Sequence, residues 1–407
     1  MTDPRRSHPV LLGLIALLLL ADGALLGAFV TRRLARERGA AAEHGGPDWT
    51  RLSQTDLRIA GAFGALEREG LAASLDALES AAAEDSAVLR DGHQLSHALG
   101  RQAVVGRDGS VSVISECRPI FASGCYHGVV EASLQVQRQL DMTELERMCA
   151  GAGSEDQPGP IVECVHGLGH GVVGAVGFDI ERALDHCDAL LRVSFHAACH
   201  SGAFMEAINS TFRASALGST AHGGSHPNGA HAGHRVSPAR LLSVDRTNPY
   251  SPCDRFDDPY AATCWMYQGL LILRHHGFKP AEALRTCDGA PDGRAGRCYE
   301  SIGHQLTGLF QRDEPWIIAQ CATGRADLAP HCAAGAALAL AAMDWSGGRA
   351  ARFCAASPVG WKDACYRAAA DMLTVLASVA QRTTLCASVE PEYVTACREA
   401  AALDLGE

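Results

Sequence analysis

Side chains that can bind a metal ion recur in pairs along the chain, with the two members of each pair four positions apart. In the segment from Cys164 to His170, histidines stand two and six positions after the cysteine. Residues four apart lie on one face of an α-helix, so both members of such a pair can reach one ion. The pairs that share this phase are His93/His97 counted from Asp91, His127/Glu131 from Cys125, His166/His170 from Cys164, and Glu300/His304 from Cys298.

The first three pairs offer five imidazoles and one carboxylate, which suit a transition-metal ion such as Zn, Fe or Cu, its identity left open. Helices pack about 8–10 Å apart, so pairs on neighbouring helices would line one stripe, wide enough for two sites or a dinuclear one. Glu131 is a candidate ligand or general base. We expect Glu300 and His304 to make an outlying contribution to the same metal site.

A further pair of histidines falls out of phase with these four pairs. His196 and His200 are four apart, but Cys199 directly precedes His200. We expect these two candidate ligands, together with Glu206, to contribute from a shifted helix.

Hydrogen bonding offers a second interpretation of the histidines. Buried polar side chains commonly link one helix to the next, and for any single histidine such a structural ladder is the simpler explanation. The shared phase of the whole set favours metal binding, and both interpretations stay open. Glycines beside the pairs are expected to let the helices approach closely; they are Gly128, Gly167, Gly169 and Gly303.

The helices that position these side chains are indicated by the 16 cysteines. The last five consecutive pairs are each 11 positions apart, and their first members recur at intervals of 34, 34, 33 and 32 positions. Such a period is typical of an array of repeats, each made of two short helices. We predict that the first helix ends near the first cysteine, that a turn of about ten residues follows, and that the second helix begins at the second cysteine. The pairs are Cys117/Cys125, Cys149/Cys164, Cys187/Cys199, Cys253/Cys264, Cys287/Cys298, Cys321/Cys332, Cys354/Cys365 and Cys386/Cys397.

We predict that each cysteine pair forms a local disulfide within one helical pair, stabilising it by roughly 2–3 kcal/mol. Buried free thiols, or disulfides from one repeat to the next, are the alternatives, because connectivity cannot be deduced from spacing. The first helical pair has Ser80 and Asp91 where cysteines would fall and is expected to lack a disulfide. Disulfides require an oxidising compartment, so we predict that the repeats lie in the periplasm or outside the cell.

An apolar N-terminal segment also favours export. Residues 9–30 are apolar except for Asp22 and are long enough to span a bilayer. We predict a membrane anchor within residues 1–38, with a cleaved signal peptide as the alternative. Arginines directly after the segment would keep the following chain cytoplasmic by the positive-inside rule, but the cysteines outweigh that signal; these arginines are Arg32, Arg33, Arg36 and Arg38.

Composition divides the rest of the chain into four parts. They are a Gly/Pro linker at 39–50, N-terminal helical repeats with the His/Glu pairs at 51–213, a Gly/Ser-rich insertion at 214–251, and C-terminal Cys-paired repeats at 252–407. The insertion carries four further histidines and could capture metal weakly or be a solvated loop; they are His222, His226, His231 and His234. The C-terminal repeats are interpreted as plain structural units.

The composition also limits the class of protein. Hydrophobic residues make up 47% and charged residues 20%, so the chain can bury a core. A net charge of −11 argues against a nucleic-acid binder. Helical pairs of about 33 residues with internal cysteines resemble TPR and Sel1-type solenoids, including secreted cysteine-rich Sel1-like proteins, over about residues 70–400. The resemblance implies an all-α solenoid whose surface binds a protein or peptide, and it carries over no functional residue because the TPR signature is missing.

We therefore predict an all-α, membrane-anchored, extracytoplasmic solenoid with a His/Glu metal site in its N-terminal repeats. Whether such a site catalyses a reaction is left open. The alternatives are a non-catalytic scaffold that binds a protein or peptide partner, and a metal-handling protein whose histidine-rich insertion feeds the site.

Overall fold

A computed structural model describes the chain from residue 54 onwards, with gaps; the described ranges are 54–106, 111–136, 140–154, 156–218, 242, 244–245, 247–310 and 313–403. The anchor, the linker and the four histidines of the insertion lie outside these residues. In the ranges given, no helix combines the length and the apolar character that crossing a bilayer requires. The chain divides into two units between Arg58 and Ile59, and residues 54–58 of the first unit open the first helix.

The described residues form helices, and no β-strand occurs among them. The α-helices are α1 (Gln54–Glu69), α2 (Leu71–Glu84), α3 (Ser86–Val105), α4 (Gly124–Val136), α5 (Met142–Ala150), α6 (Gly159–Ala175), α7 (Ile180–Asp188), α8 (Val193–Gly218), α9 (Tyr260–His275), α10 (Pro280–Cys287), α11 (Ala295–Phe310), α12 (Glu314–Cys321), α13 (Ala329–Met343), α14 (Gly348–Ala356), α15 (Val359–Leu376), α16 (Val379–Ala387) and α17 (Val394–Ala400). Short 3-10 helices cover Val111–Glu116, Cys253–Arg255 and Pro391–Tyr393. The all-α prediction is confirmed.

Each predicted cysteine pair forms a disulfide, and the Cα atoms of each pair lie 5.3–5.6 Å apart, within the usual range. No cysteine is free. Local pairing is therefore confirmed, and both the free thiols and the inter-repeat connectivity are wrong. So many disulfides indicate an oxidising, extracytoplasmic compartment. The eight bonds join Cys117 to Cys125, Cys149 to Cys164, Cys187 to Cys199, Cys253 to Cys264, Cys287 to Cys298, Cys321 to Cys332, Cys354 to Cys365, and Cys386 to Cys397.

The first helix of most helical pairs is short, and in several of them a capping side chain fixes the residue at which the helix begins. Helices α5 and α7 have nine residues each. The side chains of Asp141, Asp179 and Asp313 accept hydrogen bonds from backbone N–H groups in the first turns of α5, α7 and α12. Ser378 and Gln381 form a capping box at the start of α16. These caps satisfy N–H groups that have no partner within a helix.

The second helices begin before their cysteines, whereas the sequence analysis placed each start at the cysteine itself. Helix α9 begins at Tyr260, four positions before Cys264, and α17 begins at Val394, three positions before Cys397. The predicted starts at Cys264 and Cys397 are therefore wrong, although the disulfide partners of both cysteines are correct. The residues before each of these cysteines already form the first helical turn, which turns the cysteine towards the first helix of its repeat.

The turn between the two helices of a repeat is correspondingly shorter than predicted. Helix α15 begins six positions before Cys365, and only Ser357 and Pro358 separate it from α14. The predicted ten-residue turn is therefore too long in that repeat. Its disulfide joins the last helical turn of α14 to the second turn of α15, so much of the segment between the two cysteines is itself helical.

Aromatic side chains fill the core beside the disulfides. A buried aromatic residue directly follows the second cysteine in four repeats; these residues are Tyr126, Trp265, Tyr299 and Tyr366. Each anchors a second helix against its neighbours by burying a large apolar surface. The Tyr299 hydroxyl also donates to Asp288 Oδ1 at 2.7 Å, which ties the second helix to the end of the first.

Three pairs of consecutive second helices, α3 with α4, α6 with α8, and α11 with α13, pack at distances that only glycine allows. Three glycines stand so close to the preceding second helix that an added Cβ would lie within 2 Å of a backbone oxygen. The pairs are Gly128 with His97 O (1.9 Å), Gly202 with His166 O (1.8 Å) and Gly335 with Glu300 O (1.8 Å). The predicted close approach at Gly169 and Gly303 is also confirmed, with added Cβ atoms 2.0 and 1.9 Å from Cys199 O and Cys332 O.

These contacts correct the register of the first repeat. His97 occupies the position that His166 and Glu300 occupy in later repeats, two residues after the second cysteine. Counting from Asp91 had placed His93 there. Helix α3 is displaced by one turn from the predicted phase, because no cysteine marks its register.

The row of second helices curves back on itself. Helix α15 contacts α6, although four other second helices lie between them in the row. An added Cβ on Gly159, at the start of α6, would lie 2.5 Å from Leu376 O at the end of α15 and 2.4 Å from the Trp345 ring. The helical pairs therefore form a repeated, strongly curved row in which the start of α6 meets the end of α15.

Candidate metal centre

Three imidazoles from two adjacent second helices meet in the N-terminal repeats. His127 comes from α4, and His166 and His170 come from α6; one nitrogen of each ring lies within 4.8 Å of the others. His166 Nε2 and His170 Nε2 are 3.1 Å apart. Ligand nitrogens around a tetrahedral zinc ion, at about 2.0–2.1 Å from the metal, stand roughly 3.3 Å from one another. The Nε2 atoms of His166 and His170 are thus already as far apart as two nitrogens bound to one zinc ion. The nitrogen of His127, within 4.8 Å of both, would have to move only slightly to become the third ligand.

His127 is a buried imidazole without a hydrogen-bond partner. Its side chain is 2% exposed, and neither ring nitrogen has a hydrogen-bond partner among the described residues, since Glu163 Oε2 stands 3.7 Å from Nε2. Burial, followed by the neighbouring imidazoles of His170 and His166, holds the pKa of His127 well below its usual value. The ring is therefore neutral at pH 7 and keeps a lone pair for a ligand, whereas buried polar groups normally have partners.

His170 is oriented by a carboxylate from the next second helix. Its Nδ1 lies 3.3 Å from Glu206 Oε2, and both side chains are buried. An N–H at Nδ1 that donates to Glu206 leaves His170 Nε2 unprotonated and facing His166 Nε2, 3.1 Å away; metal-ligating histidines are usually held by such a partner on the second nitrogen. His166 is neutral as well, because burial, followed by the neighbouring imidazoles of His170, His93 and His304, keeps its pKa well below the usual value.

Glu163 is a neighbour of the site that the sequence analysis missed. Its Oε2 lies 3.7 Å from His127 Nε2. Burial raises the pKa of Glu163 to about 7, a value suited to proton exchange at neutral pH. The residue stands three positions before His166 on α6, a spacing that also shares a helix face. A search for pairs three apart as well as four apart would have found it.

His97 and Glu131 belong to an ion-pair ladder beside the three imidazoles. His97 Nε2 is 3.3 Å from Glu131 Oε1, and Arg101 Nη1 donates to Glu131 Oε2 at 3.0 Å. Burial would raise the pKa of Glu131, but the hydrogen bond and charge of His97 and the charge of Arg101 lower it to about 2. A carboxylate this acidic is a poor proton acceptor at neutral pH, so Glu131 does not suit the general-base role.

His93 lies between the ladder and the three imidazoles. Its Nδ1 is 2.8 Å from Phe121 O, and its ring centroid is 5.4 Å from that of His127. Burial lowers the pKa of His93 to about 4, although the hydrogen bond to Phe121 acts to raise it. His93 therefore borders the site as a neutral ring with one nitrogen already occupied.

His196 and His200 form a separate group around Asp188. His200 Nε2 is 2.8 Å from Asp188 Oδ1, and Tyr260 donates to the other oxygen of that carboxylate. His196 Nε2 lies 2.9 Å from Leu190 O, at hydrogen-bond distance. His200 directly follows its repeat's second cysteine, the position of Tyr299, and Asp188 matches Asp288. His200 thus makes the link that tyrosine makes elsewhere, and of the shifted set only Glu206 reaches the three imidazoles.

Glu300 and His304 lie further along the row. Glu300 Oε1 is 3.0 Å from His331 Nδ1, on α13. The His304 ring lies 6.1 Å from the Tyr267 ring, and burial lowers the pKa of His304 to about 4. Neither Glu300 nor His304 belongs to the three-histidine group.

Comparison with protein-family models, with curated proteins and with solved structures gives no match for this chain.

Proposed function

We propose that this protein is an extracytoplasmic helical-repeat protein that binds one transition-metal ion through His127, His166 and His170. The observation that carries the proposal is the meeting of three imidazole nitrogens within 4.8 Å, one of them on a buried ring that makes no hydrogen bond among the described residues. A metal ion would supply the missing partner of His127.

The ligand set narrows the kind of ion. Three neutral imidazoles suit Zn, Cu or Fe better than Mg or Ca, which prefer oxygen. A three-histidine site leaves a coordination position for water or a substrate, and the ion would act there as a Lewis acid. Glu206 would fix the tautomer of His170, and Glu163 stands where it could hold or release a proton beside His127.

The structural ladder and the metal site apply to different histidines. The ladder fits His97, whose Nε2 meets Glu131 and, through that carboxylate, Arg101. It does not account for His127, because neither of its ring nitrogens makes a hydrogen bond among the described residues, whereas His97 has at least Nε2 beside Glu131.

Elemental analysis of the full chain, exported so that the disulfides form, tests the proposal. We expect about one metal ion per chain after incubation with Zn, Fe or Cu salts. The ion should be lost in the His166→Ala/His170→Ala double variant, with helicity unchanged by circular dichroism. The matched control is His275→Ala/His331→Ala, which removes two histidines outside the cluster and should keep the metal.

Two outcomes would count against the proposal. Absence of metal in the wild type after incubation with each salt would leave the cluster as a structural feature. Metal retained by the double variant, but lost when His222, His226, His231 and His234 are replaced, would place binding in the insertion.

We also propose that residues 9–30 tether the repeats to the membrane. The eight disulfides support an extracytoplasmic position for the repeats, and the length and apolar character of the segment support the tether. Membrane fractionation with N-terminal sequencing would test it: an intact N-terminus in the membrane fraction is expected, and a soluble protein that begins after the segment would show cleavage instead.

A further inference from the structure

The histidine pair of α3 is not used by the proposed metal centre, although its imidazoles stand directly beside it. The ring centroids of His93 and His97 lie 5.4 and 6.0 Å from that of His127, and 6.0 Å from each other. His127 therefore belongs to two triangles of imidazoles. The first triangle is completed by His166 and His170, and the second triangle by His93 and His97.

Each histidine of the α3 pair has one ring nitrogen held by a partner. His93 Nδ1 lies 2.8 Å from Phe121 O, and His97 Nε2 lies 3.3 Å from Glu131 Oε1. Histidines that bind metal ions are held in this way, because their second nitrogen donates to a backbone carbonyl or a carboxylate. An N–H on each held nitrogen leaves a lone pair on His93 Nε2 and on His97 Nδ1.

Buried nitrogens in the second triangle have no partner. His97 is 8% exposed, and its Nδ1 makes no hydrogen bond among the described residues. The same is true of both ring nitrogens of His127. One ion in the first triangle can bind only one nitrogen of His127, so the other nitrogen and His97 Nδ1 would stay unsatisfied. Because buried polar atoms in proteins nearly always have partners, we expect a second ligand here.

The dimensions of the second triangle suit a metal ion after a small contraction. Around a tetrahedral zinc ion, with nitrogens at about 2.0–2.1 Å, the centroids of two imidazoles stand roughly 5 Å apart. The first triangle has this spacing, at 4.7–5.0 Å. The second triangle is wider, at 5.4–6.0 Å, and its nitrogens do not all come within 4.8 Å of one another. An ion would have to draw its rings together by up to about 1 Å, so it should bind more weakly than the first ion.

We propose that a second transition-metal ion binds between α3 and α4, to His93 Nε2, His97 Nδ1 and the remaining nitrogen of His127. Imidazole ligands favour Zn or Cu over Mg or Ca. The ion replaces the ring proton of His127, which leaves to solvent, and the ring then joins the two ions. This inference rests on the proposed function, because the two ions share His127, and the experiment below separates the two claims.

Equilibrium titration of the full chain with Cu(II) tests the proposal. We expect two binding steps, the second at least tenfold weaker than the first, so that the protein keeps one ion after desalting. His93→Gln and His97→Gln retain an amide donor and remove the free imidazole nitrogen. Each should weaken the second step tenfold or more and leave the first step unchanged, which also shows that the variant is folded. The matched control is His196→Gln, because His196 likewise lies beside a backbone carbonyl outside both triangles, and it should retain both steps.

Electron paramagnetic resonance reports whether His127 is shared. Two Cu(II) ions joined through one imidazole ring couple magnetically. The second equivalent of copper should therefore reduce the signal per chain instead of doubling it. A signal that doubles would overturn the shared ligand.

The same titration distinguishes the two metal claims. His166→Ala/His170→Ala should remove the tight step and keep the weak one. The second ion is overturned if the wild type shows a single step that only this double variant removes, or if a weak step survives both glutamine variants. It is also overturned if the weak step disappears only when the four histidines of the insertion are replaced. A weak step lost in the glutamine variants, beside a tight step that the alanine double variant leaves unchanged, would support the second ion and contradict the proposed centre.

Discussion

At the scale of single residues, His127 distinguishes a metal ligand from a structural histidine. A buried polar atom without a partner costs about 1–3 kcal/mol. In the metal-free protein His127 therefore lowers the free energy of unfolding, and a bound metal ion would remove this destabilisation. His200 is a structural histidine by this criterion, because its Nε2 already has a partner in Asp188 and contributes to stability without a metal ion.

This contrast predicts the behaviour of His127→Leu. The apolar side chain removes both unpartnered nitrogens, so the metal-free variant should be as stable as the metal-free wild type or about 1 kcal/mol more stable. Added metal should stabilise the wild type and leave the variant unchanged. Urea unfolding with and without metal measures both effects. A loss of more than about 2 kcal/mol in the metal-free variant would mean that His127 is structural.

Glu131 leads to a prediction about pH. Its pKa falls from 4.5 to about 2 in the folded protein. A carboxylate with a lowered pKa stabilises the fold above its unfolded pKa, and this stabilisation is lost as the pH falls towards 2. Glu131→Gln should therefore cost about 3 kcal/mol at pH 7, a cost that shrinks progressively below about pH 4.5.

Unfolding experiments at pH 7 and pH 3 measure that change. The control is Glu144→Gln, because Glu144 pairs with Arg147 on an exposed helix face and should contribute less than about 1 kcal/mol. An equal cost for Glu131→Gln at both pH values would contradict the assigned ion pair.

At the scale of helices, glycines set the register that brings the imidazoles together. Gly202 on α8 touches the backbone of His166, and an added Cβ would lie 1.8 Å from His166 O. The same close contact places Glu206, one turn further along α8, beside His170.

Gly202→Ala should therefore separate α8 from α6. We expect a loss of about 2–3 kcal/mol from overpacking, despite a gain of up to about 1 kcal/mol in helix propensity. Metal affinity should also fall as Glu206 moves away from His170. The control is Gly174→Ala on α6, where an added Cβ meets nothing within 4 Å; it should be neutral or stabilising in thermal unfolding. If both variants behaved alike, the close contact would not exist.

The sequence predicted the disulfides and the succession of helices well, because cysteine spacing marks each helical pair. It placed the starts of the second helices less well, since Cys264 and Cys397 lie inside their helices rather than at the first residue. The cysteine spacing fixes which two helices are joined, but a disulfide can form from any helical position that faces its partner.

The site was predicted less completely than the fold. The i, i+4 rule identified His166 and His170, but it overlooked Glu163 at i, i+3 and misplaced the register of the first repeat. His200 shows the other limit: spacing alone cannot tell a ligand from a histidine that replaces a buried tyrosine, since that depends on Asp188 from another helix.

At the scale of the whole molecule, the row of repeats is bent until α6 meets α15. Periodicity predicts that repeats stack, but it does not fix the small rotation between them, which accumulates over the row. The contact at Gly159 is therefore a feature that only the structure could reveal.

This contact predicts a change in shape. Gly159→Ala should push the start of α6 away from Leu376 and Trp345, with a loss of about 1–3 kcal/mol. Small-angle scattering should show a larger radius of gyration, while metal stoichiometry stays the same because the three histidines lie elsewhere on α4 and α6. Gly360→Ala, where nothing lies within 4 Å of the added Cβ, is the control. An unchanged radius and stability for Gly159→Ala would contradict the closure.

The most direct test of the account is anomalous diffraction at the metal absorption edge from crystals of the metal-loaded full chain. The account predicts one strong peak at about 2.0–2.1 Å from one nitrogen each of His127, His166 and His170, with Glu206 still beside His170 Nδ1. A peak elsewhere, or no peak when the solution contains excess metal, would contradict the central claim that these three imidazoles form a metal centre.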